Sequence, residues 1–495
     1  MKRVGCLLAV ILCLALVLLA AYSRPLWHFR TRLTQTGSGI AVSPPPQPFA
    51  PAPLPALPTY DYTAMDAPLQ VDLRARDLRA LDLQSRLEDL LMANFDTNTS
   101  WPAALPEGFD PEAILQTGKN PGLGLRALHA RGITGRGVGV AIIDQNLLVN
   151  HVEYADRLRL YEEIHYSPGP ASMHGPAVAS LAVGGTVGVA PEADLYFIGE
   201  WHGRFSPLTA LLRRQKMHTF DFTPTAQSIR RLLEINRQLP QDRKIRVISI
   251  SVGWSPYRPG YDEVTAAAAQ AEREGIFVIS TGLERTHGFS FHGLGRDPRD
   301  DPDQLSSYTE SCWDNYYLDQ HPGRPPLLVP MDSRTLAAPT GPTDYAFSRT
   351  GGWSWAVPYL AGLYALACQV NPDVTPDQFW ETALQTGDIV DLQGRQIPDP
   401  DGSLAAWIAK TLDQLVLDYQ QIAQGEELER HFARYYAGHE GVSRDRMTEA
   451  EFRAWYTNMW ITSVLGDGQP HQLGRIVNPT RLIEALRPPP PPQHQ

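Results

Sequence analysis

Residues 137–144 read GVGVAIID, an apolar run that ends on a carboxylate, and residues 173–185 read MHGPAVASLAVGG, where a histidine opens a stretch of small residues. The first pattern is that of a strand buried on both faces, because an apolar run without alternation has no polar face to give to water. The second fits a helix that packs closely on such a strand. Outward from these, residues 193–199 (ADLYFIG), 246–251 (RVISIS) and 276–280 (IFVIS) repeat the apolar-strand pattern, with residues 263–274 (EVTAAAAQAERE) as a helix between the last two. Apolar strands alternating with helices predict an α/β fold of three layers, a mostly parallel central sheet covered on both faces. Functional side chains in such folds stand at the carboxyl ends of the strands, where Asp144 falls.

The flanks differ in character. Residues 1–23 begin with Lys2 and Arg3 and continue as an apolar run from Val4 to Ala21, the pattern of an export signal or membrane anchor. Residues 24–60 contain the proline-rich stretch SPPPQPFAPAPLPALP, which favours extended polyproline II and is expected as a linker. Within residues 61–125, Asp-Leu recurs every five residues at Asp72-Leu73, Asp77-Leu78 and Asp82-Leu83, either by chance or as one coil of a stacked structure. This region is expected as a pro-segment or docking segment. The main domain is placed at residues 126–390, and residues 391–473 are expected as added helices, with Ile408, Leu412, Leu415, Tyr419 and Ile422 on one stripe. Thr448 and Glu451 have capping-box spacing ahead of Phe452 and Trp455. Residues 474–487 supply a closing helix, and 488–495 a proline-rich tail.

Composition narrows the function. The 495 residues are 43% hydrophobic and 20% charged, with a formal net charge of -11 and no clustered basic face, which sets nucleic acid aside as a partner. Four cysteines, two of them (Cys6 and Cys13) in the N-terminal apolar run, exclude a disulfide scaffold and leave Cys312 and Cys368 as either a bridge or two thiols. No run of clustered Asp and Asn resembles a calcium loop, so neither metal nor cofactor is expected.

Three residues carry the chemistry. Asp144 at a strand end can orient an imidazole. His174 at a helix N-terminus sits at the positive end of the dipole, which favours the neutral ring that a general base needs. Ser354, in TGGWSWAVPYLAGLYALA (350–367), stands at a helix start where its own N–H can face a developing oxyanion. Each alone has a plain structural reading: a capping Asp, a structural His, an N-cap Ser.

Together, in this order, they resemble the subtilases. AIIDQNLLVNHVEY (141–154) is similar to the family's Asp motif, HGPAVAS (174–180) to its His motif, ISISVGW (248–254) to its substrate-binding strand, and GWSWAVPYLAG (352–362) to its Ser motif. NPDVTPDQFWETALQTG (371–387) and GRIVNPTRLIEAL (474–486) resemble its closing helices. The resemblance implies a serine endopeptidase acting outside the cytoplasm on a peptide or protein substrate, membrane-bound through its N-terminal segment or secreted. Ser354 is then the nucleophile, His174 the base and Asp144 its orienting partner, while Ser251, Val252 and Gly253 pair with the substrate backbone.

The pattern breaks beside the nucleophile. Where the family carries an oxyanion-hole asparagine, residues 281–284 read TGLE and put Leu283, which cannot donate. Loss of one such donor costs about 100- to 1000-fold in rate, and a nearby donor, Thr281 or His287, is expected as the substitute. Trp254, Trp353 and Trp355 are expected to crowd the cleft. These departures motivate the alternative of a pseudopeptidase that keeps the fold as a binding or scaffolding module.

Overall fold

The computed structural model describes residues 29–61, 69–166, 168–205, 218–256, 258–311, 326–392, 403–420, 423–440, 444–465 and 472–488. The apolar run at 4–21 and Cys312 lie outside these residues. Among the described residues, no helix is long and apolar enough to cross a membrane.

The expected strands form. Gly139–Asp144, Asp194–Glu200, Ile245–Ile250 and Phe277–Ser280 join Leu158–Tyr166 in a parallel array whose order is Leu158–Tyr166, Asp194–Glu200, Gly139–Asp144, Ile245–Ile250, Phe277–Ser280. An antiparallel edge strand, Arg30–Arg32, and the short Gly39–Ile40 complete the seven-stranded sheet. Side chains alternate between its faces. Val140, Ile142 and Val247 join one core with the helices His174–Val183 and Trp353–Val370. Ala141, Ile143 and Ile248 join the other with Thr223–Gln238 and Tyr261–Arg273. The three-layer α/β reading is therefore the observed architecture.

A second sheet was not read in the sequence. Phe291–Arg296, Leu327–Pro330 and Gln472–Ile476 run parallel, and Asp388–Leu392 pairs antiparallel with Gln472–Ile476. The residues 474–486 expected as a closing helix thus divide into a strand end and the helix Pro479–Leu486, whose first turn Asn478 caps.

The proline-rich run lies against the domain rather than standing clear of it. Ala171 N–H donates to Pro45 O and Gln47 N–H to Pro339 O, both at 2.8 Å. An extended chain without internal hydrogen bonds has all its backbone groups available for such contacts.

The Asp-Leu repeat is a coil of a small stacked structure. Leu73, Leu78 and Leu83 are buried, while Asp72, Asp77 and Asp82 each accept the N–H two residues on, from Arg74 (3.2 Å), Arg79 (3.1 Å) and Gln84 (3.1 Å). Each five-residue unit therefore closes a turn with its Asp and fills the interior with its Leu. Neighbouring coils stack in parallel: Ala52–Pro53 pairs with Arg76–Asp77, and bridges join Asp72 to Asn94 and Asp77 to Ser100. This cap shares a core with the main domain, in which Phe95 packs on Phe347 at 5.1 Å. Strand Phe95–Asp96 extends a small sheet of Arg334–Ala337 and Tyr345–Ser348.

Between Asp388–Leu392 and Gln472–Ile476 stand three helices, Ser403–Gln420, Glu426–Glu440 and Glu449–Leu465. Leu412, Tyr419, Phe432, Phe452 and Tyr456 form a core of their own, distinct from the two that cover the sheet. The expected capping box is present: Glu451 N–H donates to Thr448 Oγ1 (3.2 Å) and Thr448 N–H to Glu451 Oε2 (2.8 Å).

Candidate active site

Asp144 ends its strand at 2% exposure, and its Oδ1 accepts a hydrogen bond from His174 Nδ1 at 2.6 Å. The contact needs close backbone approach. A Cβ on Gly175 would collide with the Gln145 carbonyl oxygen and stand 2.8 Å from that of Asn146, so only glycine lets the helix start this near the strand end. Asp144 Oδ1 also accepts the Gln145 N–H (2.7 Å), which fixes the carboxylate. His151 takes no part: it is buried, with Nε2 against Asp344 O at 2.8 Å.

Ser354 lies in the first turn of the helix Trp353–Val370, behind Gly352 at φ 99°, a conformation that glycine adopts freely. Its N–H is among the first-turn amides with no carbonyl partner inside the helix. Its hydroxyl donates to Ser251 O at 3.4 Å, and Ser251 Oγ returns a bond to Ser354 O at 3.1 Å. Ser354 and His174 share one cavity of about 380 Å³, but the hydroxyl is turned toward Ser251 rather than hydrogen-bonded to the imidazole. Ser251, Val252 and Gly253 follow the strand Ile245–Ile250 at its carboxyl end, with Gly253 packed so closely on Gly282 that a Cβ would stand 2.9 Å from the Gly282 nitrogen.

Leu283 is fully buried in the main core and presents no donor to the cavity. Of the two neighbours expected as substitutes, Thr281 lines the cavity. His287 does not: it is held by Glu272 (3.0 Å) and stacks on Phe289 at 5.4 Å. The three indoles also divide. Trp353 and Trp355 line the cavity, with Trp355 tilted on the His174 ring at 5.3 Å, whereas Trp254 is buried in the opposite core against Phe222. Two indoles, not three, narrow the site.

Asn94 and Arg74 of the N-terminal cap also line the cavity, and sequence reasoning missed both. No local motif marks them; they arrive through the long-range pairing of Phe95–Asp96 with Tyr345–Ser348. Cys368 is a buried thiol in the Ser354 helix that burial pushes up to about 12, which leaves it inert and outside the site. Among the described residues, no group of three or more His, Cys, Asp or Glu is placed to hold a metal.

A carboxylate–imidazole pair at a strand end and a helix-borne serine, facing one cavity of a three-layer α/β fold, define a hydrolase-like arrangement. Residues 135–316 match the model of the subtilase family. The matched stretch contains Asp144, His174 and Ser251 to Gly253 and ends before Ser354. A solved structure described as the prenylagaramide maturation protease PagA aligns over 54% of this chain and 89% of its own, at 15% identity and a TM-score of 0.36. No curated protein matches the chain.

Proposed function

We propose that this chain is an endopeptidase in which Ser354 is the nucleophile, His174 the general base and Asp144 the group that orients His174. The observation that carries the reading is the 2.6 Å bond from His174 Nδ1 to Asp144 Oδ1, which leaves Nε2 as the free basic nitrogen in the cavity that holds Ser354. A rotation of the Ser354 side chain away from Ser251 O, held only at 3.4 Å, brings the hydroxyl to His174 when substrate enters. Catalytic hydrogen bonds are often long or misdirected without substrate. Ser354 Oγ then bonds to the peptide carbonyl carbon, its proton passes to His174 and on to the leaving amine, and water cleaves the resulting ester by the same route. Ser251 to Gly253 hold the acyl side of the substrate as an added strand. The Ser354 N–H, with Thr281 beside it, stabilises the oxyanion in place of the absent asparagine. The apolar N-terminal run supports action outside the cytoplasm, tethered or secreted.

The test is hydrolysis of a peptide mixture by the purified chain. Ser354→Ala is expected to lower turnover by about 10⁶-fold, to the level of binding and oxyanion stabilisation alone. A second reading, a binding or scaffolding module, is favoured by the buried Leu283 and by the Ser354 hydroxyl turned to Ser251. Equal peptide turnover by the wild type and Ser354→Ala would decide for it.

A further inference from the structure

The cavity at Ser354 extends in a direction that the substrate strand does not explain. None of Ser251, Val252, Gly253 or Trp254 lines it; from Ser354 and His174 it runs past Met173 and Trp355 to Phe347 and the cap residue Asn94. With the acyl side of a substrate lying along Ser251 to Gly253, this arm lies on the side of the departing amine. Its walls are mostly apolar, and its polar groups are mostly committed. Trp355 Nε1 donates to Ser348 Oγ (3.1 Å), which donates to Thr350 O (2.8 Å), and Arg74 is paired through two bonds of 2.8 Å with Asp72.

Asn94 differs. It is 2% exposed, its Oδ1 accepts the Arg349 N–H at 3.0 Å, and its backbone is bonded to Val71 and Leu73. The bond to Oδ1 fixes which way the amide points, since an N–H requires an acceptor. Nδ2 has no hydrogen-bond partner. A buried donor left unpaired is destabilising unless an acceptor arrives, and the cavity that Asn94 lines is where one can arrive.

Resting on the peptidase reading above, we infer that the N-terminal cap builds the leaving-side subsite. It takes a peptide whose first residue after the cleaved bond has a large apolar side chain, and Asn94 Nδ2 donates to a carbonyl oxygen of that departing segment. The apolar walls give the selectivity, and the buried amide fixes the register of the chain. Asn94 is a specificity residue, held in place by the strand pairing that joins the cap to Tyr345–Ser348.

The experiment is mass-spectrometric mapping of cleavage sites in a peptide library by the full chain, with wild type, Asn94→Leu and Leu69→Trp. Leu69 lines the cavity and is 46% exposed, so added bulk there narrows the arm without entering a core. Wild type is expected to favour Leu, Phe or Met over Gly and Ala directly after the cleaved bond by at least about tenfold, as burial of several methylenes would give. Leu69→Trp shifts that preference to small residues. Asn94→Leu lowers kcat/KM on a preferred peptide by about five- to tenfold, the worth of one hydrogen bond; because it also removes the acceptor of the Arg349 N–H, its melting temperature falls, and a single cooperative melt above the assay temperature shows that the fold is intact. Cleavage without a leaving-side preference, or an unaltered preference in Leu69→Trp, overturns the proposal. A wild type that fluorophosphonate does not label overturns the peptidase reading and this inference together, whereas a labelled enzyme indifferent to the leaving side overturns the inference alone.

Discussion

At the residue scale, the Asp144–His174 contact depends on a missing side chain. Gly175→Ala puts a methyl group against the Gln145 and Asn146 carbonyl oxygens, and the helix start must move to relieve it. Displacement of a catalytic group by about 1 Å costs on the order of 100-fold. Gly175→Ala is therefore expected to lower kcat by about that factor with little change in KM, which steady-state kinetics on a single peptide would check. The pair was legible only through the order of the two motifs and their resemblance to the subtilases, since each residue alone has a plain structural reading. The setting of Ser354 was not, since its hydroxyl answers to Ser251 O, 103 positions away. Likewise nothing local distinguishes Trp254, which turns into a core, from Trp353 and Trp355, which face the cavity.

At the element scale, the N-terminal cap is built into the domain as a structural part. Its strand Phe95–Asp96 pairs with Tyr345–Ser348, Arg349 Nε donates to Leu91 O at 2.9 Å, and Phe95 is buried among Trp101, Phe109 and Phe347. Phe95→Ala is expected to cost about 3–5 kcal/mol of stability, read by urea denaturation; a change below about 1 kcal/mol would show that the cap is dispensable to the fold. The five-residue Asp-Leu period was visible, but its meaning was not. The partners that complete the stack, Ala52, Asn94 and Ser100, follow no period. The second sheet escaped for a related reason, because Gly293 and Gly295 within Phe291–Arg296 and Pro330 at the end of its partner are poor strand formers that tertiary pairing overrides.

At the scale of the whole molecule, the strand Tyr345–Ser348, on which the cap is paired, and the loop after the His174 helix meet at Glu153. Burial alone would raise this carboxyl, but hydrogen bonds from Thr186 Oγ1 (2.5 Å), Tyr345 Oη (2.6 Å), Thr186 N (2.8 Å) and Val187 N (3.3 Å) outweigh it and hold the group below its usual range. A depressed carboxyl contributes stability that is present above the unfolded value, about 4.3 for Glu, and is lost as pH falls through the folded value. Wild type should accordingly lose stability below about pH 4.3 more steeply than Glu153→Gln, as thermal melts across that range would show. Parallel curves would remove Glu153 from the account. The central claim, that the Asp144, His174 and Ser354 site is chemically competent despite the buried Leu283, is tested most directly by labelling with a fluorophosphonate. The account predicts that wild type is labelled on Ser354 and that Ser354→Ala is not; no labelling of either protein would contradict it.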